Sequence, residues 1–206
     1  MITPAGTRIE AALVYAARAH AAHWKKGTEV PYLAHLLGVA ALVLEDGGDE
    51  DEAIAALLHD VAEDQGGAER LSDVEREFGG RVAAIVQGCS DTLEMPKPPW
   101  RARKEAHLHH LETADSSVVK VSLADKLYNA RALLLDYRRL GERLWARFDP
   151  SSDQLWYYQA LARVYRRRSS SPLVDELERV VAELGELIAG SAGRKLSEER
   201  RAGAGD

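Results

Sequence analysis

Cysteine is almost absent from this chain. Cys89 is the only thiol, which excludes an intramolecular disulfide and a cysteine-rich zinc site. Long apolar runs are missing too: no uncharged stretch approaches the roughly 20 residues that cross a bilayer. Arg8, Glu10 and Arg18 interrupt the first apolar pattern, which argues against a signal peptide. A cytoplasmic location is expected, with no membrane partner. Positive charge is not in excess. A net charge of -6 argues against nucleic acid as a partner and leaves room only for a local basic pocket. There is no strand-like alternation, no internal repeat and no linker long enough to divide the chain. What is present, 206 residues with 46% hydrophobic and 29% charged, suits one globular domain with its own core.

Helical periodicity runs through almost the whole chain and predicts an all-α bundle of about nine or ten helices over residues 1–189. Helices are expected at Thr7–Trp24, from Tyr32 to the turn DGGDED, at Asp51–Glu63 and at Arg81–Cys89. Further helices are expected at Arg101–Ala114, Ser117–Arg139, Gly141–Phe148 and Asp153–Arg168. Ser72 and Glu75 match a capping box opening a short helix that Gly79 closes. Ser171 and Pro172 read as N-cap and first position of a last helix running to about Ala189. KKGTEVP, Lys25 to Pro31, and MPKPPW, Met95 to Trp100, read as loops because proline removes donors and fixes φ. The small, charged tail 190–206 is expected to be disordered.

The most informative stretch is LLHDVAEDQGG. His59–Asp60 and Glu63–Asp64 end a segment, Ala53 to Leu58, that is apolar on every side. A helix without a polar face is normally buried, and burying unpartnered charge costs several kcal/mol per group. A bound cation resolves that cost. Two more polar residues lie on apolar stripes: His35, with Val39 and Leu42, and Asp125, with Val121 and Tyr128. Together His35, His59, Asp60 and Asp125 offer two imidazoles and two carboxylates, a set suited to manganese, iron or zinc. Any one histidine alone is more often a satisfied core residue, and either aspartate alone could pair with an arginine such as Arg131.

Other features admit plainer readings. His107 and His110 share a helix face, which allows a second metal but more simply a solvated surface. Arg166 to Arg168 end a helix, where positive charge complements the dipole. Trp145, Trp156, Tyr157 and Tyr158 read as core contacts.

The order H…HD…D resembles the HD-domain phosphohydrolases, and in particular the hydrolase domain of RelA/SpoT homologues in the small alarmone hydrolase branch. The matching stretches are KKGTEVPYLAHLLGVA, AALLHDVAED, VVKVSLADKLYNARAL and WYYQALARVY. The loop departs from the pattern by extra residues between Lys26 and Pro31. No synthetase or regulatory domain accompanies the match, so a stand-alone hydrolase is expected. The resemblance implies one divalent metal, most often Mn2+, on His35, His59, Asp60 and Asp125, with Glu63 and Asp64 as catalytic carboxylates. It implies substrate contacts at Lys25 or Lys26, Tyr32, Lys126 and Asn129, although Lys126 alone could be a surface lysine and Asn129 could bond backbone. The implied reaction removes the 3′-pyrophosphate of guanosine tetra- or pentaphosphate. Alternatives are another nucleotide (a 5′-nucleotide, an adenosine alarmone or NADPH) or a non-catalytic, nucleotide-binding or toxin-neutralising role. Homo-oligomerisation stays open.

Overall fold

The computed structural model describes the backbone of residues 7–65, 67–92 and 96–202, with side chains at 8–63, 67–92 and 96–191. Among the described residues the elements are α1 (Thr7–Ala19), α2 (Leu33–Glu45), α3 (Glu50–Leu58), α4 (Val61–Gln65), α5 (Gly67–Phe78) and α6 (Gly80–Cys89). They continue with α7 (Trp100–Leu111), α8 (Ser116–Leu140), a 3-10 helix (Gly141–Arg147), α9 (Gln154–Arg168) and α10 (Pro172–Ala202). No strand forms among them; the single β-bridge joins Trp24 to Pro31. No described helix is long and apolar enough to cross a membrane.

The bundle is built round α3 and α8. Asp49 opens α3 with a capping box, its side chain accepting from Glu52 N while Glu52 accepts from Asp49 N. Such a cap contributes about 1 kcal/mol. Every residue from Glu52 to Leu58 is buried. Ile54 and Leu58 have no exposure, each adding roughly 1.5–3 kcal/mol of burial. Glu52, at the start of this buried run, is compensated by Lys120 at 2.9 Å. The 25-residue α8 begins at Asp115, whose Oδ1 accepts from Ser117 N at 2.8 Å. It packs against α2, α3, α6, α9 and α10, so its buried face reaches the middle of the molecule.

Several boundaries differ from the sequence reading, for local reasons. The helix expected over Asp51–Glu63 is two helices. His59 caps α3, its Nδ1 bonding the Ala56 carbonyl at 2.7 Å, and the chain turns at His59–Asp60 before α4. The first helix stops at Ala19 because residues 23–25 pair back onto the loop: Lys25 N bonds Val30 O at 2.8 Å and Tyr32 N bonds His23 O at 2.9 Å. Ser72 is not a cap. α5 begins at Gly67, and the Ser72 hydroxyl bonds the Ala68 carbonyl inside it. Gly79 does close α5, with φ of 94°, a conformation open to glycine. The segment after Gly141 is a 3-10 helix, and α10 continues past Ala189 to Ala202.

The plainer readings hold for several side chains. Cys89 is buried, and burial pushes its thiol up, which leaves it inert. Tyr157 and Tyr158 are in the core. Arg166, Arg167 and Arg168 bond Asp175 and Glu178, Glu112, and the Ala114 carbonyl respectively, so they tie α9 to α10 and α7.

Candidate metal centre and adjoining pocket

Three helices and one turn deliver the polar side chains to a common point. His35 lies in the first turn of α2, His59 caps α3, Asp60 follows it in the turn, and Asp125 is in the middle of α8. Because Nδ1 of His59 faces a carbonyl, that nitrogen carries the hydrogen, which leaves Nε2 to face inward. His35 Nε2 stands 3.2 Å from His59 Nε2. Asp60 Oδ2 is 3.0 Å from His59 Nε2 and 3.4 Å from His35 Nε2. Asp125 Oδ1 is 3.4 Å from His35 Nε2 and 3.6 Å from His59 Nε2.

His35, His59 and Asp125 are all buried and form a candidate metal-holding group; Asp60, 23% exposed, closes it on the solvent side. Ligand atoms about 2.0–2.2 Å from one cation lie roughly 3.0–3.6 Å from one another. The observed separations have that size, so His35, His59 and Asp125 fit a divalent ion, with Asp60 adjoining them through the two histidines. Neither aspartate pairs with Arg131, which bonds Glu176 at 2.6 Å instead.

The electrostatics point the same way. Burial would lower the His59 imidazole, but Asp60 and then Asp125 raise it well above its ordinary value. Burial would raise Asp60 and Asp125, but His59 holds Asp60 down, and Lys126, then His59, hold Asp125 below the usual carboxylate range. An imidazolium clasped by two carboxylates is the proton-loaded form of a site whose donors also suit a metal.

A cavity of about 240 Å³ adjoins the cluster, with Lys25, Lys26, Tyr32, Asn129, Arg147 and Phe148 among its lining residues. Two of these touch the candidate ligands. The Tyr32 hydroxyl donates to Asp60 Oδ2, and Asn129 Nδ2 donates to Asp125 Oδ1 at 2.6 Å. Lys26 Nζ lies 5.9 Å from the centre of the Phe148 ring, and Arg147 pairs with Asp136 at 3.2 Å.

The H…HD…D residues thus lie together at the cavity's edge, and the profile of the HD domain matches residues 12–149. The chain belongs to the HD-domain family. Relatives of this HD chain include a guanosine-3′,5′-bis(diphosphate) 3′-pyrophosphohydrolase of Xenopus tropicalis, 38% identical over 122 residues, 58% of this chain and 65% of that one. A second is the bifunctional (p)ppGpp synthase/hydrolase SpoT of Escherichia coli K12, 33% identical over 132 residues, 61% of this chain and 18% of that one. The chain therefore spans 65% of the first relative's length. Among solved structures, a metazoan orthologue of SpoT described as hydrolysing ppGpp superposes with TM-score 0.73 at 24% identity, over 90% of this chain and 99% of that one. A Listeria monocytogenes protein gives TM-score 0.63 at 28% identity, over 71% and 96%. These confirm the HD fold.

The remaining sequence-nominated residues fall in different places. Glu63, on α4, accepts from Asp91 N at 3.0 Å and from Lys97 Nζ at 2.7 Å. The Asp64 side chain lies outside the described residues. Lys126 is neither on the surface nor among the cavity's lining; its Nζ lies 2.6 Å from Asp125 Oδ2. His107 is buried, and burial holds its imidazole down at about 3, while His110 is exposed and faces the Gly88 carbonyl. The pair gives no second metal-holding group among the described residues. Arg147, Phe148 and Gln154, which wall the cavity, carry no local signal in the sequence. Lys97, which reaches Glu63, lies in the proline-rich stretch that reads as a loop.

Proposed function

We propose that this HD chain removes the 3′-pyrophosphate of guanosine tetra- or pentaphosphate, releasing pyrophosphate and GDP or GTP, with Mn2+ held by His35, His59, Asp60 and Asp125. The observation that carries the reading is that Tyr32 and Asn129, which hydrogen-bond Asp60 and Asp125 of the donor cluster, also line a cavity bearing Lys25, Lys26 and Arg147. The names of the relatives supply the substrate class. The net charge of -6 favours a small phosphorylated ligand met by local cations over nucleic acid.

A divalent cation in such a site polarises a phosphoryl oxygen and makes water more acidic. The chain's own residues do the rest. Lys25 or Lys26 and Arg147 hold phosphate charge, and Tyr32 and Phe148 offer faces to a base. Glu63, with Asp64 beside it on α4, takes the proton of the attacking water. In the free protein the Glu63 carboxylate accepts from both Lys97 Nζ and Asp91 N.

The test is incubation of the protein with Mn2+ and guanosine tetraphosphate, with a chelator control and identification of both products. Pyrophosphate and GDP are expected, only with metal. Orthophosphate alone would overturn the assignment. Glu63→Gln should keep a full metal equivalent and lose about 100-fold or more in turnover; an equal rate removes Glu63 from the mechanism.

A further inference from the structure

Asp125 divides its two oxygens between different tasks. Oδ1 faces the imidazoles of His35 and His59 at 3.4 and 3.6 Å and accepts from Asn129. Oδ2 points the other way, to Lys126 Nζ at 2.6 Å. Successive residues on a helix do not normally face each other, so the lysine stem must fold back along α8 to reach its neighbour. The Lys126 side chain is only 16% exposed, and its charge is felt by Cys89 of α6, Lys104 and His107 of α7, and Tyr157, Tyr158 and Tyr165 of α9. Asp91, another acid in that region, is already bonded by Arg103 and Lys104. Asp125 is therefore the anion that Lys126 serves, and Lys126 does not line the substrate cavity.

We propose that Lys126 is a positioning residue that confines Asp125 to a single metal-facing oxygen and adds one fixed positive charge to the loaded centre. This rests on the metal reading above. Asp60 and Asp125 together cancel a dication, so without Lys126 the loaded centre is neutral, and with it the centre carries one net positive charge. A buried ammonium beside a ligand oxygen repels the cation through a medium that screens poorly. The same charge attracts incoming phosphate. Lys126 thus loosens the metal and favours the polyanion, the reverse of what a purely structural lysine does.

The sign of the effect on metal affinity separates the two roles. Metal-free wild type, Lys126→Met and Lys126→Arg are titrated with Mn2+ and followed by electron paramagnetic resonance. Turnover and KM for guanosine tetraphosphate are then measured at saturating metal. Lys126→Met should bind Mn2+ about tenfold or more tightly, with an altered spectrum as Oδ2 turns to the ion, while KM rises and turnover falls by about tenfold. Lys126→Arg, which keeps the charge, should stay near wild type in affinity. Unchanged or weaker Mn2+ binding by a folded Met variant overturns the proposal; if that variant does not fold, Lys126→Gln is read by the same criterion. A wild-type protein that takes up no Mn2+ sinks the metal reading itself, and this inference with it.

Discussion

The phenol of Tyr32 donates a hydrogen bond to Oδ2 of Asp60. The same ring lines the cavity and stacks on His23 with centroids 4.1 Å apart. One side chain thereby ties the pocket wall to a proposed metal ligand, and whatever displaces the ring also disturbs Asp60.

Tyr32→Phe keeps the ring and its stacking but removes the hydroxyl. Loss of an outer partner of a metal ligand costs about 10–100-fold in affinity. Mn2+ titration should show that loss while the thermal melt of the metal-free protein barely moves. Unchanged affinity would mean that Asp60 is held without Tyr32.

Asp125→Asn should destabilise the metal-free protein, because it strands the ammonium of Lys126, whose side chain is only 16% exposed. Breaking a buried pair from one side costs about 3–5 kcal/mol. At roughly 2–4 °C per kcal/mol for a chain of this size, the melt should fall by roughly 10 °C. Adding Lys126→Met to Asp125→Asn should recover most of the loss, which a double-mutant cycle measures.

Acid should weaken the fold through histidines buried neutral. Burial holds His20 at about 4 and His107 at about 3. Below the unfolded value near 6.5 the unfolded chain takes up protons that the native state refuses. Their stabilisation is therefore present above about pH 6.5 and lost as pH falls towards those native values. His59 has the opposite sign: its raised imidazole stabilises at low pH, and that contribution is lost as pH rises through its native value. Melts of metal-free wild type and His107→Phe across this acid range check the assignment, with a shallower decline expected for the variant.

Gly38→Ala should cost about 1–3 kcal/mol by overpacking, because a Cβ at Gly38 would overlap the Tyr128 ring. That ring packs edge-on against His35 at 5.1 Å, so the strain reaches the metal centre. A lowered melting temperature together with weaker Mn2+ binding is expected. A melt unchanged from wild type would show that Tyr128 moves aside freely.

The helical architecture was legible because apolar spacing and caps act over a single turn or two. Ser171, read as an N-cap, caps the helix that follows it, and Gly79 closes α5 where its freedom of φ is needed. The His59–Asp60 turn was hidden by that same locality: Ala53 to Glu63 keeps a helical pattern, yet the chain turns at His59, whose Nδ1 bonds the Ala56 carbonyl. Ser72 showed a capping pattern that lost to a helix already begun at Gly67.

For the site, sequence alone could name His35, His59, Asp60 and Asp125, because a polar residue on an apolar stripe must find a partner wherever the chain takes it. It could not say what each would meet. That Lys126 turns inward to Asp125, that Arg131 goes instead to Glu176, and that Arg147 and Phe148 wall the cavity depend on how α8, α9 and α10 cross. Those crossings are set by packing between side chains distant along the chain, to which the local pattern is blind.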